Sequence, residues 1–267
     1  MQLAVAARTD TGMIRSGNED SYFAEANRER GLFVVADGMG GHAAGEVASE
    51  MAVQIVAREL SGAVDRTSIS EIAGQLAQAL KRANVAIYER TIAEVDKQGM
   101  GTTASVLMLS AGRYLIGQVG DSRVYLLRDG ALTQLTKDHS YVQEQVDAGF
   151  LTPEQARYHP YSNVITRCVG ASADVEPDTY EGVLKKGDVF LVASDGLTGM
   201  VDDRRLLQLL MARASPQRIV DALISEANGR GGLDNITAVL VQVLSVEDEQ
   251  EGATTPGATS SGATSAG

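Results

Sequence analysis

An α+β fold built on antiparallel sheet is predicted by three features of the sequence. Apolar or alternating runs recur at Leu32–Ala36, Thr103–Leu109, Tyr114–Val119, Arg123–Leu127, Val189–Ala193 and Ile236–Leu244. The consecutive strands between residues 101 and 135 read as hairpin-linked. Helical periodicity is confined to separate stretches, so the order lacks the regular alternation of a parallel βαβ sheet.

Each element has its own signal. Leu32–Ala36 is a short buried-strand run that ends at Asp37-Gly38-Met39-Gly40-Gly41. Val47, Met51 and Ile55, with Ala52, Val56 and Leu60, then repeat at helical spacing. Ile69, Ile72, Leu76, Leu80, Ala83 and Ile87 form a second apolar stripe of the same period. Asp129-Gly130, between Arg123–Arg128 and Ala131–Leu135, is the dipeptide of a two-residue primed turn. The stretch from Asp138 to Val169 has little strand character and includes Thr152-Pro153, a helix-start pair. A long irregular excursion within a compact domain reads as a lid or binding loop. Ser215-Pro216 opens a further helix, with Ile219 and Leu223 facing inward. Residues 1–244 then form a single domain, and residues 245–267 a disordered tail. The tail is acidic at Glu247-Asp248-Glu249 and Glu251, and from Gly252 onward contains only Gly, Ala, Thr, Ser and Pro. It reads as a native linker or an appended segment.

Composition narrows the chemistry. The chain has 267 residues, 44% hydrophobic and 22% charged, enough for a sizeable core. Its 35 acidic residues exceed the 23 basic ones, for a net charge of -12. That balance disfavours nucleic acid and anionic lipid, and suits cations or basic partners. A single cysteine excludes an internal disulfide and any multi-cysteine metal site. The residues that open the chain do not resemble a signal peptide, and no run approaches the length of a membrane span. A cytoplasmic protein is expected.

The chemistry gathers where carboxylates meet glycine at strand ends. Asp37 and Asp195 each close an apolar run and precede Gly38 and Gly196. Asp121 lies in Gly120-Asp121-Ser122-Arg123, read as a hairpin motif, and Asp234 in Gly231-Gly232-Leu233-Asp234-Asn235. Any one Asp-Gly is an ordinary turn pair. Several acidic turns around buried strands call for cations or protons to neutralise them. With only 3 histidines, and no helical pair, oxygen-loving magnesium or manganese fits better than zinc. Gly38-Met39-Gly40-Gly41-His42-Ala43 matches the dinucleotide-binding fingerprint. However, Asp37 would repel a pyrophosphate, and the following segment lacks the second parallel strand.

Taken in order, Arg15-x-x-Asn18-Glu19-Asp20, Asp37-Gly38-Met39-Gly40-Gly41, Gly101-Thr102-Thr103, Gly120-Asp121-Ser122-Arg123, Ser194-Asp195-Gly196 and Asp234-Asn235 resemble the metal-dependent, phosphatase 2C-like (PPM) protein serine/threonine phosphatases of the bacterial branch. The resemblance covers about residues 3–244. It implies a four-layer αββα sandwich of two antiparallel sheets flanked by helices, with a dinuclear metal centre at one end. Carried over by motif, Asp37 bridges two Mn2+ or Mg2+ ions, the Gly38 carbonyl binds the first, and Asp195 and Asp234 bind the second. Asp121, with Asp195, is similar to the ligand pair of a third, weaker ion. Glu19 and Asp20 hold metal-bound waters or orient the ligands from behind, and Asn235 orients Asp234 or caps the turn. Arg15 clamps the substrate phosphate; on its own it would read as a surface ion pair. The implied reaction is direct attack by a metal-bridging hydroxide, without a phosphoenzyme, so Cys168 takes no part. Met39 stands where some eukaryotic members carry histidine as proton donor. His42 or a metal-bound water is left for that role, and His42 reads equally well as structural. The partners implied are phosphorylated proteins, substrates of a serine/threonine kinase in bacterial signalling, and a monomer is expected. A non-catalytic member of the fold and a phosphodiester-cleaving two-metal hydrolase are the competing readings.

Overall fold

The computed structural model describes residues 1–40, 44–61 and 69–246. One sheet holds β1 (Gln2–Asp10), β7 (Arg123–Arg128), β8 (Ala131–Gln134), β10 (Val189–Ala193) and β11 (Ile236–Ser245), in the order β1-β11-β10-β7-β8. The other holds β2 (Asp20–Ala26), β3 (Arg30–Met39), β5 (Ala104–Ser110), β6 (Arg113–Val119) and β9 (Asp178–Val183), in the order β2-β3-β5-β6-β9. A short β4 (Gly101–Thr102) pairs with the end of β3. All pairings between these strands are antiparallel.

Alternation explains the layers. In β3, Phe33 and Val35 point into a core shared with Val124, Phe190, Val192, Val239 and Val241 of the facing sheet. Leu32, Val34 and Ala36 point the other way, onto α1 (Ala44–Ser61) and α2 (Ile69–Ala93). In β10, Leu191 and Ala193 pack on the outer face with α6 (Asp203–Leu210) and α7 (Pro216–Gly229). Central strands covered on both faces read as unbroken apolar runs, since successive side chains enter different cores. The result is the α+β sandwich of four layers, αββα, that the sequence led one to expect.

Local signals map onto the elements. The α2 stripe Ile72, Leu76, Leu80, Ala83 and Ile87 is buried. The side chain of Ile69, the first residue of that stripe, lies outside the described side chains. Asp129 and Gly130 take φ of 52° and 79°, the left-handed pair a primed turn requires. Ser140 caps α3 (Tyr141–Asp147), Thr152 forms a capping box on α4 (Pro153–Arg157), and Ser215 caps α7. One expectation is corrected: β6 and β7 are not a hairpin. They belong to different sheets, and Gly120-Asp121-Ser122 carries the chain from one sheet to the other. Both strands are apolar on both faces, so their patterning could not reveal that they part. The strand β11 runs to Ser245, and Val246 packs on the inter-sheet core. The remainder of the tail, 247–267, lies outside the described residues.

Candidate active site

Asp37, Asp121, Asp195 and Asp234 are brought to one end of the sandwich by the strand ends. Asp20 opens β2 directly opposite Asp37 in the ladder. Asp195 begins the short helix α5 (Asp195–Thr198) after β10, and Asp234 precedes β11, the neighbour of β10. The glycines beside them permit close approach. A Cβ on Gly38 would lie 2.1 Å from the Gly45 carbonyl oxygen and 2.6 Å from that of Glu19. A Cβ on Gly196 would lie 2.0 Å from the Asn235 carbonyl oxygen. Gly38, inside β3, therefore serves backbone packing beside Asp37. The dinucleotide reading fails, because β3 belongs to an antiparallel sheet.

Hydroxyls hold these carboxylates in place. Thr103 Oγ1 accepts from the Asp37 amide at 2.9 Å, and the Asp37 carbonyl accepts from Thr102 Oγ1 at 2.9 Å. Thr103 and Ser122 hydroxyls lie 2.8 Å apart, joining the Asp37 end of β3 to the Asp121 turn. Asp20 Oδ2 accepts from Ser194 Oγ at 2.8 Å and Thr237 Oγ1 at 2.6 Å. Asn235 is a tie between loops. Its Oδ1 accepts from the Glu19 amide at 2.7 Å, and its Nδ2 donates to the carbonyls of Thr11 and Gly17 at 2.9 Å each. Its own amide donates to Asp234 Oδ1 at 2.9 Å. Thr102, Thr103, Ser122 and Ser194 stand within the motifs that carry the resemblance but without a role of their own, and Thr237 stands outside every motif.

The electrostatics are those of carboxyls crowded together away from water. Burial pushes the Asp20 carboxyl up to about 7, against the lowering effect of the Thr237 and Ser194 hydroxyls. Burial, and then the charges of Asp20, Asp195 and Asp121, pushes Asp37 well above the carboxylate range. Asp121 is raised by burial and by Asp195, and Asp195 by burial and by Asp234. Buried oxygens of Asp20, Asp121 and Asp195, all Oδ1, have no protein partner. Among the described residues no three His, Cys, Asp or Glu already close into a metal cage. Raised, oxygen-only donors with unpartnered atoms nevertheless suit hard divalent cations. Glu19, also raised by burial, lies against the start of α1, where a Cβ on Gly45 would be 2.9 Å from its Oε2.

Arg15 reaches this cluster. Its Nη2 donates to Asp234 Oδ2 at 2.7 Å, and the side chain is half exposed. Burial opposes its charge, but Asp234, Glu19 and Asp37 outweigh that effect. Cys168 is partly buried, and burial raises its thiol, which leaves it a poor nucleophile. His42 lies outside the described residues. No described helix is long and apolar enough to cross a membrane.

Known proteins resemble this chain in sequence and in fold. Residues 13–228 match the family described as Protein phosphatase 2C. The chain is 39% identical over 236 residues to the serine/threonine phosphatase stp of Listeria monocytogenes, covering 88% of this chain and 94% of that one. It is 40% identical over 254 residues to the serine/threonine protein phosphatase PstP of Mycobacterium tuberculosis, covering 95% of this chain and 47% of that one. Among solved structures, the S. agalactiae serine/threonine phosphatase superposes with a TM-score of 0.85 at 39% identity, covering 91% of this chain and 100% of that one. The catalytic domain of PstP, in complex with two manganese ions, superposes with a TM-score of 0.81 at 38% identity, covering 91% of this chain and 99% of that one.

Proposed function

Since the chain belongs to the protein phosphatase 2C family of serine/threonine protein phosphatases, we propose that it hydrolyses phosphoserine and phosphothreonine in proteins in a metal-dependent reaction without a phosphoenzyme. The observation that carries the reading is the set of raised carboxyls with unpartnered buried oxygens beside Arg15. Asp37, the Gly38 carbonyl, Asp195 and Asp234 would hold two divalent cations, Mn2+ or Mg2+. Asp121 with Asp195 would hold a weaker third. Bound cations supply Lewis-acid polarisation of the phosphoryl group and an activated water near neutral pH.

The remaining work falls to the chain's own groups. Arg15 presents a planar guanidinium whose Nη2 bonds Asp234, and its remaining N–H groups would bond phosphate oxygens. Asp20, fixed by Ser194 and Thr237 through Oδ2, keeps its buried Oδ1 without a protein partner. Asn235 holds the Arg15 loop against the Asp234 turn, so the phosphate clamp and a cation ligand move together. The protonated Cys168 offers no competing covalent route. Phosphoproteins made by a serine/threonine kinase are the substrates this reading implies, and the protein acts as a cytoplasmic monomer. Residues 1–246 form the catalytic domain, and the acidic, then Gly/Ala/Thr/Ser-rich residues 247–267 follow it.

The test is hydrolysis of a phosphothreonine peptide with Mn2+, with and without chelator. Turnover that depends on the metal and stops with chelator is expected. Undiminished turnover after chelation overturns the reading.

A further inference from the structure

The flap begins at Asp138 and His139, and these two residues grip both sides of the turn that carries Asp121. Arg123, on the far side of the turn, donates to the Asp138 carboxylate through Nε at 3.0 Å and Nη2 at 2.7 Å. Gly120, on the near side, is held by His139 at two points. The Gly120 amide donates to His139 Nδ1 at 3.0 Å, and the Gly120 carbonyl accepts from the His139 amide at 2.9 Å. His139 is 5% exposed. Because Nδ1 accepts, the ring proton sits on Nε2, where Asp178 Oδ2 lies 3.2 Å away. Arg167 Nη1, close to the same nitrogen, instead donates to Asp178 Oδ1 at 2.8 Å and the Glu176 carbonyl at 2.9 Å. The His139 carbonyl accepts from the Thr166 amide at 2.8 Å, near the other end of the flap.

We propose that His139 is a positioning residue: its Nδ1 fixes the Val119–Gly120 peptide, aims the Asp121 carboxylate, whose Oδ1 has no protein partner, into the cation site, and ties that aim to the flap. The proposal rests on the reading of Asp121 as a ligand of the weaker cation. Its physical basis is that the peptide groups on either side of the Gly120 Cα are both held, the first through the Gly120 N–H on His139 Nδ1 and the second through the Gly120 C=O on the His139 amide and Gln118 Nε2, so φ and ψ of Gly120 are fixed and the next residue's side chain inherits the constraint. Residues behind metal ligands act in this way, and removing them typically weakens metal affinity by about 10- to 100-fold. A histidine that merely filled space would need neither its tautomer nor its Nδ1 acceptor.

Two substitutions separate these roles. In His139→Asn the amide oxygen can stand where Nδ1 accepts, and the reach to Asp178 is lost. In His139→Gln the reach toward Asp178 is kept and the acceptor for Gly120 is lost. Both remove the ring's packing, so both should lower the melting temperature to a similar extent. Full-length protein is titrated calorimetrically with Mn2+, and the Mn2+ concentration for half-maximal phosphothreonine-peptide hydrolysis is measured beside it. Weak-site affinity should fall about tenfold or more in His139→Gln, with the tight sites retained, while His139→Asn stays near wild type. Asp121→Asn should lose the weak site altogether. If Asp121→Asn loses it and the two His139 variants behave alike, shifted or not, the positioning role is overturned and the reading of Asp121 stands. If Asp121→Asn keeps the weak site, the reading of Asp121 fails, and the proposal fails with it.

Discussion

The middle and the end of the same strands obey opposite rules. In β3, Phe33, Val34, Val35 and Ala36 are fully buried among apolar neighbours, and one residue later Asp37 is half-buried among carboxylates. In β10, Phe190–Ala193 are fully buried, and Asp195 follows two residues on. The middles remove apolar surface from water and stabilise the fold. The ends hold like charges at low dielectric, which destabilises it until something neutralises them. The sandwich core thus provides the rigidity that keeps the carboxylates from moving apart.

The largest expected effect breaks the end and spares the middle. Asp37→Ala should abolish phosphopeptide turnover, since cation charge stabilisation is worth several kcal/mol of barrier. The metal-free protein should melt no lower than wild type, because a source of repulsion is gone. Peptide kinetics at saturating Mn2+ and calorimetric melting check both halves; substantial turnover in this variant sinks the two-cation reading. The converse is Phe190→Ala, which empties a site between the sheets. Loss of about 3–5 kcal/mol of stability is expected, as for other buried Phe truncations. The KM of the fraction still folded should be unchanged. A denaturant titration with activity normalised to folded protein measures this, and an altered KM with intact stability would show that the two regions are not separable.

A pH series sharpens the comparison without mutation. Asp20 is raised from 3.8 to about 7 by burial, and Asp37, Asp121 and Asp195 are raised by the same cause. Groups raised in the folded state keep protons there that the unfolded chain releases above its own pKa. The stabilising contribution of Asp20 is complete below about pH 4 and is lost as pH rises through about 7, and Asp37, Asp121 and Asp195 act in the same direction. His139, lowered by burial, acts in the opposite sense with a single proton. Melting temperature in chelator should therefore fall between pH 5 and pH 8, and Mn2+ should restore it most at pH 8. A chelated protein that gains stability over that interval contradicts the account.

What the sequence could show follows from the same contrast. The central strands β3, β5, β6, β7, β10 and β11 were legible because both faces are covered. β1, β2 and β9 escaped notice, and all three are sheet edges. Their half-buried residues, as in the alternating pattern of Asp178–Val183, lack a continuous apolar run. The fourth edge, β8, was legible only through the Asp129-Gly130 turn. At the site, Asp37 and Asp195 announced themselves as charges terminating apolar runs. Thr103, Ser194 and Thr237 did not, since a hydroxyl gains its role only from a partner far along the chain, as Thr237 does from Asp20. His139 lay within a segment legible only as a flap, and its grip on Gly120 depends on the tertiary fold.

The smallest expected effect asks whether anything beyond residue 251 contributes to either region. Gly252–Gly267 contains no charged residue, so its deletion leaves the net charge of -12 unchanged and the field at the carboxylate end unaltered. It contains no Leu, Ile, Val, Met or aromatic residue either, so it has little apolar surface to add to a core. Ordering these residues would cost about 1–2 kcal/mol each in backbone entropy, with no burial to offset it. The inter-sheet core is already closed by Val243 and Val246. A chain ending at Glu251 should therefore match the full chain in melting temperature, Mn2+ dependence and peptide turnover within error. A drop in melting temperature would mean that the segment docks on the sandwich, and a drop in turnover alone that it reaches the active end.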